Sequence, residues 1–277
     1  MKIFADNPRM DDSRLIRRMN MNNTATIEKM QLLRLYGMER SFRTLIESEH
    51  QRELTHDELV AHIVEAEWDE RQCRKTKRLT HAAGFRTRAA FPEVDFSVER
   101  GLDKNAFVRL SDCAWIGAGK TIIISGSTGV GKSYLAQSLG AQSCMLGYRT
   151  LYYNCAKLFP LLKQKRSEGT YHRLVSRIAR TPVLILDDFG IVTLDAQDRL
   201  SLLEIIEDRH GRAATIIASQ IPVTKWFDVI GDPTIADAVC DRLVPQAIRF
   251  KLTGKSMRFF SAQNEMDTCI NPATAIE

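Results

Sequence analysis

The residues best suited to chemistry form one glycine-rich stretch, Gly126-Ser127-Thr128-Gly129-Val130-Gly131-Lys132-Ser133. It matches the pattern G-x-x-x-x-G-K-[ST] at every fixed position. The glycines let the backbone turn tightly, so that several N–H groups converge on one phosphate at the start of a helix. A lysine in this place reaches the β- and γ-phosphates, and the hydroxyl that follows it can bind Mg²⁺. The stretch therefore predicts a nucleotide site that uses Lys132 and Ser133.

The sequence on both sides of this loop favours that interpretation over a glycine turn that binds nothing. The apolar, β-branched run Ile122-Ile123-Ile124 predicts a buried strand before the loop. Residues 133–146 are rich in Leu, Ala and Gln and contain no Pro, which predicts a helix after it. A strand before and a helix after are the context in which this motif binds phosphate.

Two carboxylates, Asp187 and Asp188, follow the apolar run from Val183 to Leu186. Predicted strands at 150–153, 183–188 and 214–219 alternate with predicted helices, which indicates an α/β fold with a parallel sheet. Ligands of such sheets bind at the carboxyl ends of the strands. We therefore expect Asp187 to hold Mg²⁺ and Asp188 to orient and deprotonate the attacking water. A surface turn would also accept two aspartates, but the four apolar residues before them argue against it.

A polar side chain, Gln220, ends the next predicted strand, and it could hydrogen-bond the γ-phosphate or the water. On sequence alone a simple turn residue is an equal interpretation. The run Ile248-Arg249-Phe250-Lys251-Leu252 alternates in hydropathy and predicts an edge strand.

The first ninety residues predict a small helical domain. Residues 1–23 are polar and are expected to be disordered. Helical periodicity begins near Ile27, and Gly37 is expected to break or bend it. Thr55 to Glu58 form a capping box that starts a helix running to about Ala83. The predicted plan is a helical domain at 24–90, a linker at 91–110 anchored by its aromatic residues, a nucleotide-binding domain at 111–261 and a tail at 262–277.

The end of the predicted 56–83 helix and the residues after it carry seven cations without an intervening acid. They are Arg71, Arg74, Lys75, Lys77, Arg78, Arg86 and Arg88. Four of them recur at i, i+3, i+4 and i+7 and share one helix face. Cations do stabilise a helix C-terminus, but one or two in the last turn suffice for that effect. The surplus predicts contacts with the phosphate backbone of double-stranded DNA.

Composition is typical of a globular protein, with 277 residues, 44% hydrophobic and 26% charged. No apolar run approaches the ~18 residues of a membrane span, so no membrane partner is expected. The six cysteines contain no C-x-x-C pair, which argues against zinc or disulfides and for a cytoplasmic location. The net charge of +5 permits a nucleic-acid partner.

Five motifs in a fixed order resemble the AAA+ ATPases of the IstB/DnaC group, and most closely the IstB-type helper proteins of IS21-family transposons. They are the phosphate loop, Asp187-Asp188, Ser219-Gln220, Asp241-Arg242-Leu243 and Gly254-Lys255-Ser256-Met257-Arg258. The resemblance covers roughly residues 25–260. It implies an AAA+ P-loop domain with a parallel sheet, preceded by a small all-helical N-terminal domain.

The same resemblance implies roles for single residues. Lys132 and Ser133 would bind phosphate and Mg²⁺, and Asp187 and Asp188 would form the Walker B pair. Gln220 would be sensor 1, Arg242 the arginine finger that reaches the ATP of a neighbouring subunit, and Arg258 sensor 2. The chain departs from the family in three places, since Asp188 replaces a Glu, Gln220 an Asn and Met257 a Tyr. The region that initiator-type members use against DNA contains Lys163, Lys165 and Arg166.

The implied function is an ATP-dependent DNA-binding helper that oligomerises on DNA and recruits and regulates a transposase. A helicase loader of the DnaC type has a similar ATPase half, and genomic neighbourhood would separate the two. A P-loop kinase would leave Arg242 and the basic helix without a role. A GTPase is disfavoured because the sequence contains no Asn-Lys-x-Asp motif. A DNA tether that binds ATP without hydrolysing it stays open because of Asp188.

Overall fold

The computed structural model describes residues 12–47, 54–254 and 256–257. The chain divides into two compact units, Met1–Lys75 and Thr76–Glu277. This division falls within a helix, whereas the sequence pattern placed the domain boundary after residue 90. Arg258 and the predicted tail at 262–277 lie outside the described residues.

The first unit contains the helices α1 (Asp12–Leu32) and α2 (Tyr36–Glu47) and most of α3 (His56–Ala83). α1 begins inside the stretch that was predicted to be disordered. α3 begins where the capping box predicts it, because the backbone N–H of Thr55 donates to Glu58 at 2.8 Å and the N–H of Glu58 donates to Thr55 Oγ1 at 3.3 Å. The described part of this unit is helical, as expected.

Gly37 does not break the helix as predicted. The break lies at residues 33–35, where Arg34 has a φ of 59°, and Gly37 is buried in the first turn of α2. A Cβ at Gly37 would lie 2.2 Å from the carbonyl oxygen of Ala66, so glycine is required by the close approach of α2 to α3. The buried carboxylate of Glu67 accepts hydrogen bonds from the N–H groups of Gly37 and Met38 at 2.8 and 3.3 Å. This carboxylate stabilises the N-terminus of α2.

The second unit contains a five-stranded, fully parallel sheet with the strand order β2-β3-β4-β1-β5. The strands are β1 (Thr121–Gly126), β2 (Thr150–Asn154), β3 (Val183–Phe189), β4 (Ala214–Ser219) and β5 (Ile248–Leu252). The predicted parallel sheet is confirmed, and β5 is an edge strand as its alternating pattern predicts.

Helices cover both faces of this sheet, which buries the apolar strands. They are α4 (Lys104–Val108), α5 (Ala114–Gly117), α6 (Lys132–Met145), α7 (Cys155–Ser167), α8 (Tyr171–Arg180), α9 (Ala196–Arg209), α10 (Trp226–Ile230) and α11 (Pro233–Leu243). One apolar cluster includes residues of α6, and the other joins residues of α7 to α11. None of the helices in the described ranges is both long and apolar enough to cross a membrane.

Residues 91–110, predicted to be a linker, contribute to the core of the second unit. The ring of Phe91 stacks on Phe107 with centroids 5.3 Å apart, and Phe107 meets the edge-strand residue Phe250 at 5.6 Å. Phe107 is fully buried. The aromatic residues therefore anchor this segment to the sheet, as expected from the sequence.

Candidate functional site

The glycine-rich loop connects the carboxyl end of β1 to the first residue of α6. Gly131 caps α6 with a φ of 92°, in the left-handed region that favours glycine. A Cβ at this position would lie 2.6 Å from the guanidinium of Arg100. Tight closure of the loop presents backbone N–H groups at the positive end of α6, which is an anion-binding arrangement.

The amine of Lys132 lies across this loop, and its Nζ donates to the carbonyl oxygen of Ser127 at 2.7 Å. The residue is largely buried, with 6% of its surface exposed. A lysine ammonium held beside the loop is placed to meet the terminal phosphates of a nucleotide.

Ser133 and Asp187, predicted to share a metal, are in direct contact. Ser133 Oγ donates to Asp187 Oδ1 at 2.9 Å, and Asp187 is almost completely buried. The strand order explains the contact. β4 lies between β1 and β3, and because the three strands are parallel their carboxyl ends lie at the same end of the sheet. A hydroxyl and a carboxylate oxygen side by side suit the oxygen preference of Mg²⁺.

Two strand residues that the sequence pattern did not single out orient the carboxylates. The hydroxyl of Tyr152 donates to Asp187 Oδ2 at 2.7 Å. Burial, followed by this hydrogen bond, raises the pKa of Tyr152, so the phenol stays a donor. Asn154 Nδ2 donates to Asp188 Oδ2 at 2.7 Å, while Asn154 Oδ1 accepts the N–H of Ala156 as the N-cap of α7. The cap fixes the orientation of the amide.

Asp188 has a left-handed backbone, with a φ of 56°. Such a conformation is uncommon for a residue other than glycine and is tolerated best by Asn and Asp. The backbone N–H of Asp188 donates to Asp187 Oδ1 at 2.9 Å, which ties the two acids together. The register of β3 against β4 shifts between Leu186 and Phe189, and the side chain of Asp188 lines the neighbouring cleft.

A cleft of about 560 Å³ opens at this edge of the sheet. Its volume suits a nucleotide-sized ligand. Most of the predicted nucleotide residues line it, namely Thr128, Gly129, Gly131, Lys132, Ser133, Asp188 and Gln220. Gln220 is exposed and has no hydrogen-bond partner among the described residues. The structure therefore brings the phosphate loop, the second acid and the predicted sensor 1 to one cavity.

Another wall of the cleft comes from the segment before β1, which the sequence pattern assigned to the basic run and the linker. It contributes Arg86, Thr87, Glu93, Asp95 and Arg100. The backbone N–H groups of Arg86 and Thr87 donate to Gln137 Oε1 at 2.8 and 2.9 Å, so α6 holds this wall. Arg86, predicted to contact DNA, thus lies at the nucleotide cleft and beyond the end of α3.

Arg242 lies near the amino ends of the strands, at the end of the sheet away from the phosphate loop. It lines a separate cleft of about 350 Å³ together with Thr121 and Thr215. Thr121 is the first residue of β1, and Thr215 is the second residue of β4. The six residues of β1 span roughly 20 Å at about 3.3 Å per residue. Arg242 is therefore far from the phosphate loop of its own subunit. Its guanidinium contacts Glu207 Oε1 at 3.0 Å.

Arg258, the predicted sensor 2, lies outside the described residues, whereas the residue before it, Met257, is described. The backbone N–H of Met257 donates to the carbonyl oxygen of Gly129 at 2.9 Å. Met257 also lines the nucleotide cleft. Met257, which precedes the predicted sensor 2 in the sequence, thus contacts the phosphate loop.

The cations of α3 fall into two groups. Arg71 and Arg74 form ion pairs with Glu67 at 2.7 and 3.5 Å, and Arg74 also contacts Glu70 at 3.5 Å. Lys75, Lys77 and Arg78 are exposed, and no carboxylate in the described part of the chain pairs with them. The sequence analysis treated all of these cations as equivalent. In the structure, Glu67 and Glu70, one turn earlier in α3, neutralise Arg71 and Arg74.

The three cations predicted to contact DNA from α7 have intramolecular partners. Lys163 contacts Asp195 and Asp198 at 2.7 and 3.0 Å, and these two acids form the capping box of α9. Lys165 pairs with Glu168 at 2.7 Å, and the guanidinium of Arg166 lies 3.8 Å from the ring centroid of Tyr171. These contacts favour structural roles for Lys163, Lys165 and Arg166. Arg88 is exposed.

Comparison with known proteins matches residues 28–264 to the family model of the IstB-like ATP binding protein. An insertion sequence ATP-binding protein from Sinorhizobium fredii is 42% identical over 233 residues, covering 84% of this chain and 95% of the relative. The IS1162 ATP-binding protein from Pseudomonas fluorescens is 32% identical and covers 71% of this chain and 86% of the relative.

Among solved structures, the AMPPCP-bound DnaA from Aquifex aeolicus aligns with a TM-score of 0.53 at 18% identity, over 66% of this chain and 56% of that chain. The structure of DnaI aligns with a TM-score of 0.52 at 20% identity, over 64% of this chain and 94% of that chain. At these identities the likeness establishes the fold of an AAA+ P-loop domain.

Proposed function

The chain belongs to the family of IstB-like ATP-binding proteins, and we propose that it is an ATP-dependent helper of transposition that assembles on double-stranded DNA and recruits and regulates a transposase. It is an ATPase of the AAA+ type. The observation that carries the proposal is the hydrogen bond between Ser133 and Asp187 beside the phosphate loop. Relatives named for insertion sequences support the transposition setting and a transposase partner.

The proposed ATPase site uses the residues that line the cleft. The N–H groups of the loop and Lys132 would hold the phosphates, and Ser133 and Asp187 would hold Mg²⁺. The ion would neutralise charge on the transferring phosphate. Asp188 would orient and deprotonate the attacking water, and Gln220 would hydrogen-bond the water or the γ-phosphate. Arg258 would act as sensor 2, which the contact between Met257 and Gly129 supports.

Replacement of Lys132 with alanine is expected to weaken ATP binding about 10- to 100-fold, the value of one charge-assisted hydrogen bond. The buried lysine would lose its contact with the phosphates, while the fold would be retained. Titration with a fluorescent ATP analogue measures the effect. Lys157→Ala is the matched control, because Lys157 is exposed on α7. An unchanged dissociation constant for Lys132→Ala would remove the phosphate-binding role.

Self-assembly is supported by the location of Arg242. An arginine finger stabilises the charge of the transferring phosphate, which requires direct contact. Arg242 lies at the amino ends of the strands and the phosphate loop at the carboxyl ends, so in this proposal Arg242 would serve the nucleotide of another subunit. The contact with Glu207 would then be exchanged for the phosphate of the neighbour.

DNA contact is proposed for Lys75, Lys77 and Arg78, the exposed cations of α3 that lack a carboxylate partner in the described ranges. Each phosphate contact contributes about 0.9 to the slope of log affinity against log salt. Replacing all three with alanine should flatten that slope by roughly 2 to 3 units and weaken binding equally on unrelated duplexes. Fluorescence anisotropy at several salt concentrations measures the slope.

The matched control is the double variant Arg71→Ala/Arg74→Ala, because its cations are already paired with Glu67 and Glu70. It is expected to change the slope less than the triple variant. Should the triple variant keep the wild-type slope, α3 does not contact phosphates and its charges serve the helix alone.

A further inference from the structure

Arg100 is a buried cation in the wall of the nucleotide cleft. Only 3% of its surface is exposed, although it lines the same cavity as Lys132 and Asp188. One terminal nitrogen donates to the carbonyl oxygen of Asp95 at 2.7 Å, and the other lies 3.4 Å from the carbonyl oxygen of Val130. Its buried Nε has no hydrogen-bond partner among the described residues. The protein therefore satisfies this guanidinium only in part.

Burial of a guanidinium is costly unless an anion compensates it. Desolvation lowers the pKa of Arg100, and the charge of Asp95 opposes that shift. The carboxylate of Asp95, however, accepts hydrogen bonds from the N–H and hydroxyl of Ser97 at 2.8 and 2.6 Å. No carboxylate of the described residues forms an ion pair with Arg100. The arrangement is suited to an anion that arrives with a ligand.

The location of Arg100 identifies that anion. Its terminal nitrogen lies against Gly131, 2.6 Å from where a Cβ would be, so the guanidinium rests on the phosphate loop itself. The backbone N–H groups of such a loop cradle the α- and β-phosphates, whereas the lysine of the motif reaches the β- and γ-phosphates. Arg100 thus adjoins the part of the loop that meets the phosphates common to ATP and ADP.

We propose that Arg100 is an additional nucleotide-binding residue, which contacts the α/β-diphosphate shared by ATP and ADP. The proposal rests on the function proposed above, because it assumes that the cleft binds ATP. It predicts that Arg100 contributes equally to the binding free energies of ATP and ADP. Lys132, by contrast, reaches the γ-phosphate and distinguishes the two.

Arg100→Gln tests this assignment, because glutamine keeps an N–H donor for the two carbonyls and removes the charge. We expect the dissociation constants of ATP and of ADP to rise by the same factor, about 10- to 100-fold, the value of a charge-assisted hydrogen bond. Competition by adenosine should not change. Arg109→Gln, at an exposed arginine outside the cleft, is the control. Arg100→Lys keeps the charge and should stay closer to wild type for both nucleotides.

Each other outcome overturns the proposal. A loss for ATP alone would place Arg100 at the γ-phosphate, and an equal loss for adenosine would make it a base contact or a folding residue. Unchanged affinities would leave it without a ligand. If residues 126–133 exchange hydrogen faster in nucleotide-free Arg100→Gln, Arg100 stabilises the conformation of the phosphate loop and does not bind the nucleotide. If Arg100→Gln does not fold, a loss in Arg100→Lys that differs between ATP and ADP is decisive against it.

The wild-type titration separates this proposal from the function on which it rests. If the wild-type protein binds neither ATP nor ADP, the proposed function fails, whatever the variants do. If the wild-type protein binds both and Arg100→Gln does the same with unchanged affinity, only the assignment of Arg100 fails.

Discussion

Asp188→Asn is expected to bind ATP normally and to hydrolyse it about 10²- to 10⁴-fold more slowly, the typical contribution of a general base. Asparagine tolerates the left-handed backbone that the structure shows at this position, with a φ of 56°. Its side-chain oxygen can still accept the hydrogen bond from Asn154. The substitution therefore removes the charge and the basicity of residue 188 while its surroundings are retained.

Binding is measured by titration and hydrolysis by single-turnover kinetics, because the two together separate a lost base from a lost ligand. Asp69→Asn makes the same change of charge at an exposed position of α3 and is the control. A wild-type hydrolysis rate in Asp188→Asn would show that Asp188 is structural and that another group activates the water.

Arg242→Ala is expected to bind ATP with unchanged affinity and to lose about 10³-fold or more of its hydrolysis, as when an arginine finger is removed. The reason is the placement of Arg242 at the amino end of the sheet, away from its own cleft. Its replacement leaves the phosphate loop of the same subunit intact. It would remove a positive charge from the site of the neighbour.

Mixing Arg242→Ala with Lys132→Ala tests the shared site directly. In a mixed assembly the intact phosphate loop of the first variant can be completed by the intact Arg242 of the second, so part of the activity should return. Arg109→Ala, at an exposed arginine elsewhere, is the control and should not require mixing. Co-assembly of the two variants without any recovery would exclude Arg242 as a residue that acts in trans.

Local features of this fold could be predicted because they depend on neighbours in the chain. The apolar run 122–124 forms β1, and the capping box at Thr55 starts α3, since each pattern acts over a few residues. The contact between Ser133 and Asp187 could also be predicted, although 54 residues separate them. Parallel strands bring their carboxyl ends to one edge, so two chemically typical motifs must meet there.

Other features depend on which side chains the fold brings together, and local sequence patterns do not predict them. Lys157 and Lys163 of α7 look alike in sequence, but within the described residues only Lys163 contacts a carboxylate, that of Asp195 at 2.7 Å. Gly37 resembles a helix breaker in sequence. In the structure it permits a close approach, because a Cβ at this position would lie 2.2 Å from the carbonyl oxygen of Ala66. In both cases the partner is distant in the sequence and belongs to another part of the structure.

The cleft shows the same division. The phosphate loop and both acids follow from motifs, but the wall that carries Arg100 comes from a segment that resembles a linker. Tyr152 and Asn154 orient the acids only because β2 lies beside β3 in the sheet. Strand order and side-chain burial are properties of the whole packed chain, and a hydrogen bond between distant residues exists only once that packing has formed.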